Sequence, residues 1–256
     1  MVRYRWGDQV SHVGEMNMRK GAGKSTGRPG LWLDLLRCEY AEMCELQEIL
    51  RGKRERGEIP DLVIMLEHVP CITIGSGGGY DNLLVDRTEL EKRGIPVHDT
   101  PRGGNITYHG PGQLVCYPII YLEDDQRDLH AYARKMEEVM IRTLHSFGVA
   151  AGRKAKFPRV WVGDSKIGAM GIAVRKWVTM HGIALNVCPN LDYFSFIIPC
   201  GITTNGVTSM TRVLGRRVDI SAVRDEMRNQ FADIFRMSLC SSTVEQLMAE
   251  DCGDAT

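Results

Sequence analysis

The stretch from residue 160 to 187 constrains the fold of this chain most. Three apolar runs, Val160-Trp161-Val162, Ile167 to Val174 and Val178 to Val187, follow one another with only three or four residues between them. Such spacing leaves no room for a crossover helix, so the runs read as adjacent antiparallel strands. Leu31 to Leu36, Asp61 to His68 and Cys71 to Ile74 read as further strands, and Leu62-Val63-Ile64-Met65-Leu66 as a buried one. Helical spacing alternates with these runs. Tyr40, Met43, Leu46 and Leu50 share one face, and a short helix from Asp86 to Arg93 ends at Gly94. Leu129, Tyr132, Ala133, Met136, Val139, Met140, Leu144 and Phe147 form an apolar stripe that Gly148 terminates. Val223, Met227, Phe231 and Ile234 mark a last helix from about Ser221 to Arg236. No linker or repeat divides residues 31–238. The expectation is one α/β (α+β) domain with helices packed on a mixed, mostly antiparallel sheet.

The flanks read differently. Residues 1–30 are polar and without period, as expected of a flexible N-terminal extension, and residues 239–256 read as a fraying C-terminal tail. Gly23-Lys24-Ser25 looks like the end of a phosphate-binding P-loop, but the glycine required five places earlier is Met18. Lys plus Arg is 32 and Asp plus Glu is 32, a neutral balance that argues against a nucleic-acid binder. No apolar run has the length of a membrane span and no signal peptide is visible. The eight cysteines include no CxxC pair, and several sit inside apolar runs, so no metal site is expected. Free thiols predict a reducing compartment and a cytoplasmic protein. Cys38, Cys44, Cys71, Cys116 and Cys188 are expected to be packing residues.

One cysteine stands apart. In Ile197-Ile198-Pro199-Cys200-Gly201-Ile202 a strand-like run ends at a proline, and a thiol follows on a glycine corner. Pro199 fixes its own φ, and Gly201 permits close backbone approach, so Cys200 is presented as a nucleophile needs to be. The plainer reading is a buried structural cysteine. Three other segments are rich in glycine and polar groups. Arg102-Gly103-Gly104-Asn105-Ile106-Thr107-Tyr108-His109-Gly110-Pro111-Gly112-Gln113 crowds polar side chains between glycines, suited to orienting a carbonyl or amide; alone it also fits a β-hairpin with a Gly-Pro-Gly turn. Lys166-Ile167-Gly168-Ala169-Met170-Gly171 takes a lysine into an apolar strand, as a desolvated base or as a surface lysine on a strand edge. His181-Gly182-Ile183-Ala184-Leu185-Asn186 has small residues that leave room for a thin apolar ligand. Gly75-Ser76-Gly77-Gly78-Gly79 lacks the helix start that a dinucleotide site needs.

In their order and spacing these segments, with Val207-Thr208-Ser209, resemble the octanoyltransferases of lipoate biosynthesis over residues 31–238. Glu67-His68-Val69-Pro70, Asn82-Leu83-Leu84 and Trp161-Val162-Gly163 are similar to further positions of that family. The resemblance implies the fold of the biotin- and lipoate-protein ligase catalytic domain. It implies an acyltransferase that moves octanoyl from octanoyl-acyl carrier protein to a cysteine. The acyl group then passes to a lysine ε-amine on apo-lipoyl domains of 2-oxoacid dehydrogenase E2 subunits and of glycine cleavage H protein. By that resemblance Cys200 is the nucleophile and Lys166 the residue that lowers its pKa. Substrate-binding positions are Arg102, Gly103, Gly104, Asn105, Ile106, Thr107, Tyr108, His109, Ala169, Met170, Gly171, Gly182, Ile183 and Ala184. A thioester donor is already activated, so no cofactor or metal is implied, and no nucleic-acid or membrane partner. Competing readings are an ATP-dependent lipoate or biotin ligase, an acyl-binding scaffold for lipoyl domains, and a cysteine hydrolase with His109 or His181 as base.

Overall fold

The computed structural model describes residues 27–154, 157–198 and 206–249. Gly23-Lys24-Ser25 and Cys200 therefore lie outside the described residues. Eleven described strands form two sheets. The larger has the order β11-β1-β2-β6-β10-β9-β8-β7: β1 (Arg28–Cys38), β2 (Leu62–His68), β6 (Gln113–Ile119), β7 (Gly152–Lys154), β8 (Phe157–Val162), β9 (Ser165–Arg175), β10 (Val178–Asn186) and β11 (Met237–Ser241). The smaller joins β3 (Cys71–Ile74) to β4 (Val97–Asp99) and β5 (Ile106–His109) in the order β4-β3-β5. Only the pairs β11–β1, β1–β2 and β3–β4 are parallel. The fold is thus the mixed, mostly antiparallel α/β arrangement expected from the sequence.

Helices cover both faces of the larger sheet, which explains the unbroken apolar run of β2. Leu62, Ile64 and Leu66 pack with Met43, Leu46 and Leu50 of α1 (Tyr40–Arg56). Val63 and Met65 pack on the opposite side. There they meet Met136, Val139 and Leu144 of α3 (Leu129–Ser146), and Val223, Met227 and Phe231 of α5 (Ile220–Phe235). Each helix has a local start or stop signal. Asp128 caps α3 by accepting from His130 and Ala131 N–H, Asp219 caps α5 through Ser221 N–H, and Gly57 ends α1 at φ 76°. The shorter helices are α2 (Arg87–Lys92), α4 (Met210–Leu214) and α6 (Val244–Ala249). Among the described residues no helix is long and apolar enough to cross a membrane.

Three expectations need correction. The first described strand begins at Arg28 rather than Leu31, because β1 extends to pair with β11. The chain does not fray from residue 239: Met237–Ser241 forms an edge strand, and Val244 and Leu247 of α6 are buried against the core. Ile106–His109 and Gln113–Ile119 do not form a hairpin. The Gly110-Pro111-Gly112 turn instead carries the chain from the smaller sheet into the larger one. Glu67 fixes that turn by accepting from Gly112 N–H at 2.6 Å, and Gly112 O accepts from Val187 and Cys188 N–H. Gly112 has φ 85° and a Cβ there would sit 2.5 Å from Cys188 O, so only glycine fits.

Candidate active site

The seam between the two sheets holds a cavity of about 220 Å³. Its walls are the 102–107 segment from the smaller sheet and the β9–β10 pair from the larger. Glycines make this close approach possible. Gly103 N–H donates to Ile172 O at 2.9 Å, and a Cβ on Gly171 would lie 2.7 Å from Gly103 O. The Gly75–Gly79 run seats the same loop from behind: Gly75 N–H donates to Asn105 O, Ser76 N–H to Arg102 O and Gly77 N–H to Gly104 O. A Cβ at Gly75 would be 2.4 Å from Gly104 O.

The predicted residues divide as follows. Arg102, Gly103, Gly104, Asn105, Ile106, Thr107, His109, Lys166, Ala169, Met170, Gly171, Gly182, Ile183 and Ala184 all line the cavity. Tyr108 does not. Side chains alternate along a strand, so Tyr108 points away from Thr107 and His109 and packs on Tyr193 and Phe194, with 1 % of its surface exposed. The cavity is also lined by Tyr117, Ala133, Arg159, Ile172 and His181, which the predicted substrate-binding positions omitted. His181 carried a usable signal, a polar residue inside an apolar strand beside Gly182. Tyr117 carried none, since it reaches the cavity only through long-range pairing of β6.

Arg102 is placed differently from a ligand-orienting group. Its Nε and Nη2 donate to Thr73 Oγ1, Nη2 also donates to Thr73 O at 2.7 Å, and Nη1 donates to Gly103 O. The guanidinium thus fastens the loop to β3. Lys166 is buried, with 4 % of its surface exposed, which settles the choice against a surface lysine. Its backbone brackets the segment that follows Cys200: Lys166 N–H donates to Gly206 O and Lys166 O accepts from Thr208 N–H, each at 2.9 Å. The segment before Cys200 is held as well, since Leu83 pairs with Ile197 and Ile198 N–H donates to Asn82 O at 2.8 Å. Among the described lining residues Arg102, Arg159 and Lys166 are cationic and none is a carboxylate. That balance favours an anion formed in the cavity.

Hydrogen bonds fix the imidazole tautomers. The backbone carbonyl of Thr208 only accepts, so Asn186 Nδ2 donates to it and Asn186 Oδ1 accepts from Gln113 Nε2 at 3.0 Å. Gln113 Oε1 must then accept from His109 Nδ1, at 2.6 Å. His109 therefore keeps its proton on Nδ1, and its buried Nε2 carries a lone pair. His68 donates from Nδ1 to Cys38 O and accepts on Nε2 from the hydroxyl of Tyr117 at 2.8 Å. Burial holds all three inner imidazoles neutral: His68 and His181 fall from 6.5 to about 4, and His109 lies well below its ordinary value.

His181 is also the strained residue of the site, with φ 54° in mid-strand. The register that pairs Cys116 with Ile183 and Tyr121 with Val178 brings Pro118, which has no N–H, opposite it. His181 N–H turns off the ladder to Gln47 Oε1 of α1 at 2.8 Å. Of the thiols expected to pack, Cys38, Cys71 and Cys116 are buried and Cys44 is half-buried. Cys188 is exposed, because the chain leaves the sheet just after Asn186.

Comparisons with known proteins agree with this architecture. Residues 39–232 match the model of the lipoyl protein ligase A/B catalytic domain. An octanoyltransferase of a Thermoanaerobacter species is 44% identical over 225 residues, covering 88% of this chain and 98% of the relative. That of Solibacter usitatus is 47% identical over 199 residues, covering 78% and 90%. In fold, the chain resembles lipoate-protein ligase A bound with ATP, with TM-score 0.72, 21% identity and coverage of 87% and 92%. It likewise resembles the bi-partite lipoate protein ligase of Thermoplasma acidophilum, with TM-score 0.68, 22% identity and coverage of 87% and 90%. Ligases that similar in sequence speak for the fold alone; the close relatives decide the rest, and the chain belongs to the octanoyltransferase family of the lipoyl protein ligase A/B catalytic domain.

Proposed function

We propose that this protein transfers an octanoyl group from octanoyl-acyl carrier protein, through a thioester on Cys200, to a lysine ε-amine of apo-lipoyl domains. Such domains occur in 2-oxoacid dehydrogenase E2 subunits and in glycine cleavage H protein, and the transfer is the first step of endogenous protein lipoylation. One observation carries the reading. Lys166 is buried in the wall of the cavity, and its backbone holds Gly206 and Thr208, just beyond Cys200 in sequence.

The chemistry balances without ATP, because the donor is a thioester. The Cys200 thiolate, paired with the Lys166 ammonium, attacks the octanoyl carbonyl carbon. A new S–C bond forms, the bond to the phosphopantetheine sulfur breaks, and that sulfur leaves with the proton of Lys166. The amine of the acceptor lysine then attacks the acyl-cysteine. Neutral Lys166 takes the proton released as the amide forms, and the Cys200 thiolate is regenerated. Arg102, Arg159 and Lys166 around the cavity favour the anionic species along this path.

Incubation with octanoyl-acyl carrier protein followed by intact-mass measurement tests the reading. The wild type should gain one octanoyl group that hydroxylamine removes, and Cys200→Ser should lose transfer by roughly a thousandfold or more, as nucleophile loss does in acyl transfer. Full activity in Cys200→Ser excludes the thioester route. Turnover of free octanoate with ATP, and none with the thioester, would identify a ligase instead.

A further inference from the structure

We propose that Gln113 and Asn186 are positioning residues for the transfer step, through a buried, proton-ordered chain that ties the acyl cavity to Lys166. The inference rests on the acyl-transfer reading and names residues that it leaves without a role. The chain runs from the cavity to the backbone of Lys166. His109 Nδ1 donates to Gln113, Gln113 Nε2 to Asn186 and Asn186 Nδ2 to Thr208 O, while Thr208 N–H donates to Lys166 O. Every side chain in it is at least nine-tenths buried: His109 at 5 %, Gln113 at 2 %, Asn186 at 3 % and Thr208 at 6 % exposure.

Burial makes the chain all-or-none. A buried donor or acceptor that loses its partner keeps the desolvation penalty, so the links hold or fail together. Gln113 also donates to Tyr108 O, which pins it to β5, whereas Asn186 stands at the last residue of β10. The two amides therefore join the smaller sheet, the larger sheet and the 206–208 segment at one point. A matching tie lies before Cys200: Asn82 Nδ2 donates to Asn105 Oδ1 in the cavity wall, while Asn82 O accepts from Ile198 N–H. Both flanks of the proposed nucleophile are thus referred to the residues that line the acyl cavity. A shift of about 1 Å between reacting groups is enough to cost on the order of a hundredfold in rate, so such ties belong to the chemistry as well as to the fold.

The test uses two uncharged, near-isosteric variants, Asn186→Leu and Gln113→Met, in the full chain with octanoyl-pantetheine as donor. Each should lower the saturated rate of self-acylation at least tenfold and move the donor concentration at half-saturation less than twofold. Each should also raise the pH midpoint for alkylation of Cys200 by iodoacetamide, because the lysine and thiol no longer align. The double variant should be little worse than either single one. Wild-type rates and an unchanged alkylation midpoint overturn the proposal, as does a loss confined to half-saturation. If one variant fails to fold, the other decides, and if both only unfold, the pair is structural and the proposal falls. Nitrogen NMR of the wild type adds an independent arm: His109 must carry its proton on Nδ1, and the opposite tautomer breaks the chain as drawn. Failure of the wild type to gain octanoyl mass refutes the transfer reading instead, and the tautomer and alkylation results then stand on their own.

Discussion

Two buried histidines in its wall, His109 and His181, and His68 packed edge-on behind His109 set the chemical character of the cavity. Burial strips a charged imidazole of its solvation and no described residue lining the cavity is a carboxylate, so the fold holds each ring neutral. The linkage has a definite sign. The native state depresses His68 and His181 from 6.5 to about 4, so protons bind the unfolded chain more tightly. The contribution of these two rings is complete above about pH 6.5, falls as the pH drops below it, and levels off near pH 4. Each of these two rings contributes about 3 kcal/mol of that fall, at 1.36 kcal/mol per pH unit. Urea denaturation midpoints measured from pH 7.5 to 4.5 should show it, and His68→Gln should flatten part of the slope. Midpoints that stay level through this range would mean that the rings are charged or hydrated in the native state.

The β9–β10 hairpin is where packing and site are least separable. Gly182 lies against β6, and a Cβ there would meet Cys116 O at 2.2 Å and Pro118 Cδ at 2.9 Å, neither of which can swing aside. Gly182→Ala should therefore cost roughly 1–3 kcal/mol, the usual range for overpacking, read as a lower thermal midpoint. Gly171, its cross-strand partner, instead meets the 102–104 loop, with Gly103 O at 2.7 Å and Arg102 Cδ at 2.9 Å, so Gly171→Ala displaces the cavity loop and should lose activity out of proportion to stability. Gly152→Ala on β7, with open space around it, should stay within about 0.5 kcal/mol of wild type in both respects. Elements of this kind were largely legible in the sequence, because a strand or helix shows its buried face as a local period. Tyr40 to Leu50 and Val223 to Phe231 announced their helices, and Ile167 to Val187 its strands. Partner choice is not local. Gly110-Pro111-Gly112 has the chemistry of a hairpin turn, and only the pairing of β5 with β3 and of β6 with β2 and β10 sends its arms to different sheets. Tyr108 was legible and misassigned, since alternation along β5 already turns it away from Thr107 and His109.

At the scale of the whole molecule, neutral charge hides an uneven surface. The chain has two basic clusters, residues 153–159 and 212–217, and the described part of the first is compensated: Arg153 bonds Glu137 at 2.8 Å and Glu138 at 2.7 Å, Lys154 bonds Asp164 at 2.5 Å, and Arg159 lines the cavity. Arg212, Arg216 and Arg217 stand exposed around the end of α4, without an ion pair to any described residue. Under the proposed function, an acidic carrier protein should land on them rather than on the compensated cluster. Reversing Arg216 and Arg217 to Glu should raise the apparent KM for octanoyl-acyl carrier protein about tenfold at low salt and flatten its salt dependence. Turnover with octanoyl-pantetheine should hardly change, and equal loss on both donors would remove these arginines from docking. The edge of the large sheet bears on how the molecule is made. β1 is flanked by β11, whose first residue pairs with Arg28 from about two hundred residues away in sequence. On a ribosome, the first strand emerges long before the neighbour that seals it, and loop-closure entropy delays the pairing further. A nascent chain halted before Met237 would leave that side of β1 open, a row of unpaired backbone groups able to template another chain.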